Sequence, residues 1–303
     1  MKVSVCVPAY NGARFIGAAL DSILYQTFRD FELIVSDDAS DDETLAVVAR
    51  RAEPRVRVER NPSRLGLVGN WNRCLALATG EYVCLFHQDD LMEPELLARQ
   101  VALLDARPSI GFVFANISRI DESGERVGGH WNPYLPRADT IYAGSEVFRR
   151  MLSGGNLVPC QTVMARAACY RAWGGFNPHL HYTPDYEMWL RLALHGDVGY
   201  LAAPLARIRL HAEKASRPYV GNVEEVHEVH QALQVVFVEQ AAYIRDRDLM
   251  YALAMRHLRR WLLMFLRAAV RRGQLRRAFA WTRELAQVLG AQRRGLDGLR
   301  AQG

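Results

Sequence analysis

The chain of 303 residues is long enough for one large domain, or for one domain with a helical extension, and its 50% hydrophobic composition supports a buried core. Its formal net charge of +5 indicates an anionic partner without identifying one. No uncharged run approaches the roughly 20 apolar residues that a membrane-spanning helix needs, so none is expected.

The cysteines indicate a reducing compartment, because they lie in apolar runs, lack metal-ligand spacing and are odd in number. They are Cys6, Cys74, Cys84, Cys160 and Cys169. The chain enters a predicted strand at Val3, which leaves no room for a signal peptide. We therefore expect a cytoplasmic protein, either soluble or peripheral on the inner face of the membrane.

The first hundred residues alternate between apolar runs of strand length and segments of helical periodicity. Strands are expected at 3–7, 31–36, 56–59 and 82–86, and helices at 13–25, from about 40, and at 66–79. Ser40 or Asp41 would cap the second helix, and Gly80 would close the third. This alternation predicts an α/β fold with a mostly parallel, doubly wound sheet.

Two predicted strands end in a pair of carboxylates, Asp37-Asp38 and Asp89-Asp90. The carboxyl ends of parallel strands meet at one sheet edge, where ligands bind. Adjacent carboxylates repel each other there, and Mg²⁺ or Mn²⁺ carrying a phosphate would compensate them. The alternative is that Asp89 and Asp90 cap a helix starting near residues 93–94.

Four motifs carry a family resemblance: PAYN at 8–11, QTF at 26–28, DD-x-S at 37–40 and QDD at 88–90. Together they resemble the first hundred residues of a family 2 glycosyltransferase with the GT-A fold. The resemblance implies a Rossmann-like, mostly parallel sheet with a small antiparallel portion on the acceptor side. It also implies an inverting, metal-dependent transfer of a sugar from a nucleoside diphosphate.

The resemblance assigns nucleotide-binding roles to several positions. Pro8, Ala9 and Tyr10 match residues that hold the nucleotide through main chain and stacking, and Asp38 matches the carboxylate that contacts the base. Asn72 falls where relatives have an asparagine near the nucleotide, although an exposed helical asparagine would look the same.

The resemblance also implies a metal site. Asp89 would meet the ribose or the metal's water, and Asp90 would bind Mg²⁺ or Mn²⁺ directly, while Gln88 replaces the first acid of the family's triplet. His211 follows an Arg-x-His pattern that begins at Arg209, and either side chain is a candidate for the diphosphate. His211 is also a candidate metal ligand, with a histidine that merely packs in the core as the alternative.

The segment TPDYEMW at 183–189 resembles the family's Glu-Asp-Tyr-Glu-Leu-Trp signature, whose aspartate is the general base. Asp185 is therefore the candidate catalytic residue, and Pro184 replaces the usual glutamate. A base at a helix start across the pocket would take a proton from the acceptor hydroxyl. Capping of a helix at 186–194 is a compatible alternative for Asp185. Glu187 is either a supporting partner or an ordinary first-turn acid.

The middle of the chain is less patterned. A shift toward antiparallel strands is expected from Gly111, with an alternating strand at 112–120, a turn at 121–124 and a return strand at 125–127. Gly-Gly-Phe-Asn at 174–177 resembles a family turn that walls the donor sugar and the acceptor, and a plain tight turn is the alternative.

We expect a glycosyltransferase domain at 1–221 and a helical extension at 222–303, with helices at 224–245, 249–271 and 274–289. One face of the middle helix carries arginines, namely Arg256, Arg260, Arg267 and Arg271. This basic face would bind an anionic membrane surface. Alternatively, the helices pack on the catalytic domain or on a second subunit of a homodimer.

The favoured function is transfer of a sugar from a UDP- or dTDP-type donor to a saccharide or lipid-linked acceptor in cell-surface polysaccharide synthesis. The alternative is a non-catalytic sugar-nucleotide-binding or scaffold protein of an assembly complex. A nucleotidyltransferase is disfavoured, because PAYNGARF supplies no glycine-rich phosphate loop. No nucleic acid partner is expected, and the sequence names neither the sugar nor the acceptor.

Overall fold

The computed structural model describes residues 1–51, 53–128, 135–214, 219 and 221–295. The chain forms two compact units. The first contains Met1–Gly144, Val158–Pro178 and Gly196–Ala212. The second contains Ser145–Leu157, His179–His195 and the chain from Glu213 onward. The domain boundary expected after residue 221 stays a prediction, and the second unit draws on segments from both sides of it.

The first unit is built on one nine-stranded sheet. Its strands are β1 (Val3–Ala9), β2 (Phe31–Asp37), β3 (Val56–Arg60), β4 (Tyr82–Leu85), β5 (Leu91–Met92), β6 (Ile110–Ile120), β7 (Thr140–Tyr142), β8 (Met164–Arg166) and β9 (Asp197–Arg209). The order is β3-β2-β1-β4-β8-β6-β9-β5, and β7 pairs with β9. Strands β3, β2, β1 and β4 are mutually parallel, as predicted.

The antiparallel portion of the sheet consists of three short strands. Strand β8 runs antiparallel to both β4 and β6, and β5 and β7 run antiparallel to β9, which confirms the expected small antiparallel portion. The strand expected at 112–120 is part of β6, and the turn at 121–124 and the short return after it are present: the Asp121 amide donates to the Glu125 carbonyl and the Val127 amide to the Arg119 carbonyl, both at 2.9 Å, beside an antiparallel bridge between Ile120 and Arg126. The main partner of β6 was not predicted, because it pairs in parallel with β9 along most of its length. The apolar run of β6 is buried on both faces, as a strand inside a parallel pair must be.

The helices of the first unit follow its strands. They are α1 (Ile16–Leu24), α2 (Thr44–Ala49), α3 (Gly66–Leu77), α4 (Leu96–Ala106) and α6 (Ala167–Trp173), with a 3-10 turn at Cys160–Thr162. Helix α5 (Gly144–Gly154) leads from the first unit into the second. Apolar side chains of α1, including Ile16, Leu20 and Ile23, join the strands in one buried core.

Two helix ends differ from expectation. Helix α2 is not capped by Ser40 or Asp41; the carboxylate of Asp42 accepts the Thr44 amide at 2.9 Å. Helix α3 ends at Leu77 rather than at Gly80. A Cβ on Gly80 would lie 2.6 Å from the backbone nitrogen of Ser4, so this glycine allows a close approach to β1.

The second unit is helical. It contains α7 (Pro184–Ala193), α8 (Val223–Glu239), a 3-10 turn at Ala241–Tyr243, α9 (Arg247–Arg271) and α10 (Leu275–Arg294). The helix predicted to continue to residue 245 ends earlier, and Asp246 adopts a left-handed conformation (φ 48°) just before α9. Among the described residues, no helix combines the length and the apolar composition needed to cross a bilayer.

Candidate active site

The turn after β1 is held by Gln88. Its side-chain oxygen accepts the Tyr10 amide at 3.0 Å, and its side-chain nitrogen donates to the Tyr10 carbonyl at 3.0 Å. A Cβ on Gly12 would lie 2.1 Å from the Gln88 oxygen, so a glycine is needed beside this pair. An amide side chain both donates and accepts, as this pair of hydrogen bonds requires, whereas an ionised carboxylate at position 88 could only accept.

The same turn is tied to the loop after β2. Asn11 adopts a left-handed conformation (φ 44°), its amide donates to the Ser40 hydroxyl at 3.0 Å, and its side-chain oxygen accepts the Asp41 amide at 3.1 Å. Gly12 donates to the Thr44 hydroxyl at 2.8 Å. Two predicted ligand-binding loops, 8–12 and 38–44, are therefore mutually braced at one sheet edge.

The predicted nucleotide residues of the first strand lie at this edge. Ala9 is buried, and its carbonyl accepts the Asp38 amide at 2.7 Å. Pro8 and Tyr10 are partly exposed, and the guanidinium of Arg64 lies 4.0 Å from the centroid of the Tyr10 ring. The aromatic face of Tyr10 thus already carries a cationic partner.

Asp38 organises the loop that leads into α3. Only 2% of its surface is exposed, and its two oxygens accept the amides of Leu65 at 2.7 Å and Gly66 at 2.9 Å. The Asn61 side chain donates a third hydrogen bond at 3.0 Å. Asp37 is also buried, accepts the Ser40 amide at 3.2 Å, and so orients its own loop.

The acids after β4 form a cluster with two histidines. Asp90 is fully buried and accepts the Arg209 amide at 2.8 Å, while Asp89 lies 2.7 Å from Nε2 of His211. His87 adds a nitrogen, and the ligand atoms of His87, Asp89 and Asp90 lie within 4.8 Å of one another. Two carboxylates and an imidazole at this spacing fit a divalent cation.

The alternative role of these acids is wrong. Helix α4 begins at Leu96 with Glu95 at its N-cap and no side-chain capping bond, so neither Asp89 nor Asp90 caps it. His87 had no role in the sequence interpretation. The available signal was its place directly after a buried strand, three residues before Asp90.

Arg209 supports this cluster rather than facing outward. It is buried, and its guanidinium donates to the carbonyls of Asp89, Asp121 and Glu122, each at 3.0 Å. It also lies 4.8 Å from the centroid of the Phe15 ring, against which His211 packs at 4.9 Å. Its Nε and Nη1 donors are thus engaged by main-chain carbonyls, and the suggested contact with a diphosphate stays a prediction.

Asn72 binds the Gly-Gly-Phe-Asn turn. Its side-chain nitrogen donates to the Phe176 carbonyl, and its side-chain oxygen accepts the Phe176 amide, both at 2.8 Å. A Cβ on Gly175 would lie 2.4 Å from that oxygen, so the glycine permits the contact. Neither a solvent-facing asparagine nor an independent tight turn describes this arrangement. Trp71 lies between this turn and the cluster after β4: its ring centroid is 5.0 Å from that of Phe176 and 5.6 Å from that of His87.

Asp185 lies in the second unit, in the first turn of α7. It is not the N-cap, because that position belongs to Thr183. One carboxylate oxygen accepts the Tyr186 amide at 2.8 Å and the other accepts the Asn156 side chain at 2.9 Å. Burial raises the pKa of Asp185 to about 6, and the negative charge of Glu228 adds to the rise while the two hydrogen bonds oppose it.

Glu228 on α8 builds the start of α7. Its carboxylate accepts the main-chain amides of His181 at 2.7 Å, of Thr183 at 2.6 Å and of Tyr182 between them. Glu225, one turn earlier, accepts the Tyr182 hydroxyl at 2.8 Å. A carboxylate that takes three successive amides fixes the path of that loop. Sequence reasoning missed Glu228, although it falls on the same helical face as the buried apolar residues of α8.

Glu187 has a structural partner. Its two oxygens accept the guanidinium of Arg191 one turn later, both at 2.8 Å, and both side chains are buried. This bidentate pair satisfies a charge inside the unit. Glu187 is therefore not an ordinary exposed first-turn acid.

The fold and these loops define a GT-A type α/β protein with its polar residues at the carboxyl ends of parallel strands. The pattern of the family described as glycosyl transferase family 2 matches residues 4–171, more than half of the chain. The chain belongs to this family and is a glycosyltransferase.

A relative is similar in sequence over most of its length, and solved structures at 21–22% identity share the fold. The EpsE protein of Bacillus subtilis (strain 168) is 29% identical over 250 residues, which cover 80% of this chain and 86% of EpsE. The structure of S. aureus TarS 1–349 in complex with UDP-GlcNAc has a TM-score of 0.69 at 21% identity and covers 86% of this chain and 72% of that one. The mannosyltransferase PcManGT from Pyrobaculum calidifontis, in complex with GDP-Man and Mn²⁺, has a TM-score of 0.57 at 22% identity and covers 96% and 75%.

The structure brings most of the predicted site residues into one unit. Pro8, Ala9, Tyr10, Asp38, Asn72, Asp89, Asp90 and His211 all belong to the first unit. Asp185 belongs to the second unit, and its approach to the other residues stays a prediction.

Proposed function

We propose that this glycosyltransferase inverts the anomeric centre, depends on a divalent metal, and moves a sugar from a UDP- or dTDP-type donor to a saccharide or lipid-linked acceptor in cell-surface polysaccharide synthesis. The observation that carries the proposal is the cluster of His87, Asp89 and Asp90 at the end of β4. A donor diphosphate next to two carboxylates needs a cation, and this donor set suits one.

Asp89 and Asp90 are the proposed carboxylate ligands of Mg²⁺ or Mn²⁺, with His87 and His211 as candidate nitrogen ligands. An imidazole in the set favours the transition-metal ion Mn²⁺. When bound, the ion would neutralise the charge that develops on the diphosphate as it leaves. The Arg209 amide holds Asp90 in place for this role.

The donor nucleotide is proposed to lie against the main chain of residues 8–10, with Asp38 toward the base. Each carboxylate oxygen accepts up to two hydrogen bonds, and Oδ2 of Asp38 takes one from Gly66, which leaves capacity for an imide N–H of uracil or thymine. Asn72 would act on the donor indirectly, by holding the turn at Phe176.

Asp185 is the proposed general base. It would accept the proton of the acceptor hydroxyl as that oxygen bonds to the anomeric carbon, while the bond from this carbon to the diphosphate breaks and the nucleoside diphosphate leaves with the electron pair. Attack opposite the leaving group inverts the configuration. A carboxylate whose pKa is about 6 is ionised at neutral pH yet is a better proton acceptor than an ordinary aspartate.

A donor panel tests the proposal. Transfer and donor hydrolysis would be measured with UDP-, dTDP- and GDP-sugars in Mn²⁺, in Mg²⁺ and in EDTA, with Asp248→Asn as an exposed-acid control. We expect turnover of a UDP- or dTDP-sugar that EDTA abolishes. Tight donor binding without turnover in any metal would instead favour the non-catalytic sugar-nucleotide-binding or scaffold function.

The proposed location is the cytoplasmic side, peripheral to the membrane, because a lipid-linked acceptor would present its sugar there. The wild-type chain in cell fractions would test this. Recovery in the membrane fraction, with release by high salt, is the expected result, and recovery only in the soluble fraction would contradict it.

A further inference from the structure

The hairpin formed by α9 and α10 ends in an exposed tip, defined here as residues 270–279. Three large apolar side chains of this tip lie in solvent: Val270 is 60% exposed, Leu275 80% and Phe279 75%. Gly273 reverses the chain between the helices with φ 65°, a conformation that suits glycine. Exposed apolar side chains that share one short segment, unlike ones scattered singly over a surface, mark an interaction site.

The tip is held firmly by the hairpin behind it. The rings of Phe265 and Trp281 stack with centroids 4.8 Å apart and an interplanar angle of 9°, which pins α9 to α10. Leu258, Leu262 and Ala269 of α9 are buried. The outward positions of Val270, Leu275 and Phe279 thus follow from a packed hairpin.

The charges around the tip are all positive. The exposed arginines of the tip are Arg271, Arg272, Arg276 and Arg277, and Arg256, Arg260 and Arg267 continue the same exposed stripe along α9. Among the described residues, none of these seven makes an ion pair. From residue 249 to 295 the only acid in the sequence is Glu284, and it is buried.

We propose that the hairpin tip docks on an anionic lipid bilayer, with Val270, Leu275 and Phe279 entering the interface and the arginines binding lipid phosphates. A bilayer accepts apolar side chains without a complementary pocket, and its anionic surface attracts clustered arginines. Nucleic acid would satisfy the arginines but leave the apolar side chains exposed. This inference rests on the peripheral location proposed above and names the surface responsible for it.

The experiment measures binding of the full chain to vesicles, without donor or acceptor, so its failure would leave the transferase proposal intact. Vesicles of phosphatidylcholine alone are compared with vesicles that also contain phosphatidylglycerol, at low and at high salt. We expect binding only to the anionic vesicles, weakened by salt because the Debye length shortens.

Two variants separate the charged and the apolar parts. Replacing the four tip arginines by glutamine should weaken binding at least tenfold, since each arginine near an anionic surface contributes about fivefold. Leu275→Ser with Phe279→Ser should also weaken binding, including at low salt. The matched control replaces four exposed arginines elsewhere by glutamine, at Arg50, Arg107, Arg149 and Arg171, and should bind almost as the wild type does.

All changed side chains are exposed, so melting temperatures near that of the wild type are expected and confirm folding. The proposal would be overturned if the tip-arginine variant and the control variant lost vesicle binding equally. It would also be overturned if the wild type bound equally to both kinds of vesicle. A Leu275→Ser, Phe279→Ser variant that changes the oligomeric mass in solution and still binds vesicles would overturn it too, because the tip would then contact a second copy.

Discussion

Asp90 and Asp185 are the two carboxylates that the proposed reaction needs most, and their surroundings differ. Asp90 follows a strand, is fully buried, and shares its place with Asp89 and His87. Asp185 begins a helix, and the groups that lower its pKa are hydrogen-bond donors rather than a positive charge. Crowded carboxylates beside an imidazole suit a cation, whereas a carboxylate whose pKa is raised by burial suits proton transfer.

The largest effect is expected from a substitution of Asp90, the proposed metal ligand. Asp90→Ala should reduce transfer by about a thousandfold or more, because the cation would lose a direct ligand beside the diphosphate. Calorimetry with Mn²⁺ and a nucleoside diphosphate should show that metal-dependent binding is lost as well. Asp248→Ala, an exposed acid on α9, is the control. Wild-type metal binding in Asp90→Ala would remove this residue from the site.

Asp185→Asn tests the proposed general base. We expect kcat to fall by about a hundredfold to ten-thousandfold and donor binding to change little. In the wild type, kcat should fall as the pH drops below about 6, since protonated Asp185 cannot accept a proton. Donor binding measured by calorimetry distinguishes the two sites, because Asp90→Ala loses it and Asp185→Asn keeps it. Activity of Asp185→Asn within tenfold of the wild type would contradict the assignment.

The same variant carries a stability prediction. The folded-state pKa of Asp185 is raised above its unfolded value, so the folded state binds the proton more tightly and the wild type loses stability as pH rises from about 4 to 6. Asparagine removes this cost, which is on the order of 2–3 kcal/mol. The melting temperature of Asp185→Asn relative to the wild type should therefore be higher at pH 7.5 than at pH 4, and a pH-independent difference would contradict this.

A substitution of Glu228 should have an intermediate effect on turnover, and it tests how the surroundings of Asp185 set its pKa. Glu228→Gln should lower kcat by about tenfold, as loss of a supporting hydrogen bond does, and should move the acidic limb of the pH profile to lower pH because a negative charge near Asp185 is gone. Glu224→Gln, an exposed neighbour on α8, is the matched control. Other charged or titratable groups of these elements, Glu225, Tyr182 and Glu187, are unchanged in both variants. A loss of kcat without the pH shift would indicate a purely structural role.

The smallest effect concerns the turn after β1. Gln88→Ala should raise the donor KM by about tenfold, since the Tyr10 main chain loses both hydrogen bonds. Gly12→Ala should do the same by displacing Gln88. The two changes together should cost little more than either alone, as a double-mutant cycle would reveal. Additive losses would show that Gly12 and Gln88 act separately.

The site residues that directly follow a strand could be predicted from the sequence. The positions of Asp37, Asp38, Asp89 and Asp90 at one sheet edge follow from apolar runs that stop at carboxylates, and the structure confirms that edge. The parallel pairing of β6 with β9 was not predictable, since the two strands are far apart in sequence and both read as buried runs.

Partners distant in sequence explain the other omissions. Gln88 and Tyr10 are 78 residues apart, and no local pattern links an amide side chain to a turn at that distance. Glu228 carries no local signal of its role, because the three amides that donate to it lie 45 to 47 residues earlier in the chain. The end of α8 at Glu239, six residues before the predicted end at 245, was missed because the residues that follow include no proline or glycine to signal it.

The carboxylate of Glu228 has a practical consequence for how such enzymes are shortened or recombined. A chain cut after residue 221 would retain every acid of the sheet edge and yet leave three successive amides before Pro184 without their acceptor. Exchanging the C-terminal helices between relatives should therefore alter turnover as well as membrane binding. If the helix that replaces α8 lacks a carboxylate at the position of Glu228, the resulting protein should bind its sugar nucleotide but transfer the sugar slowly.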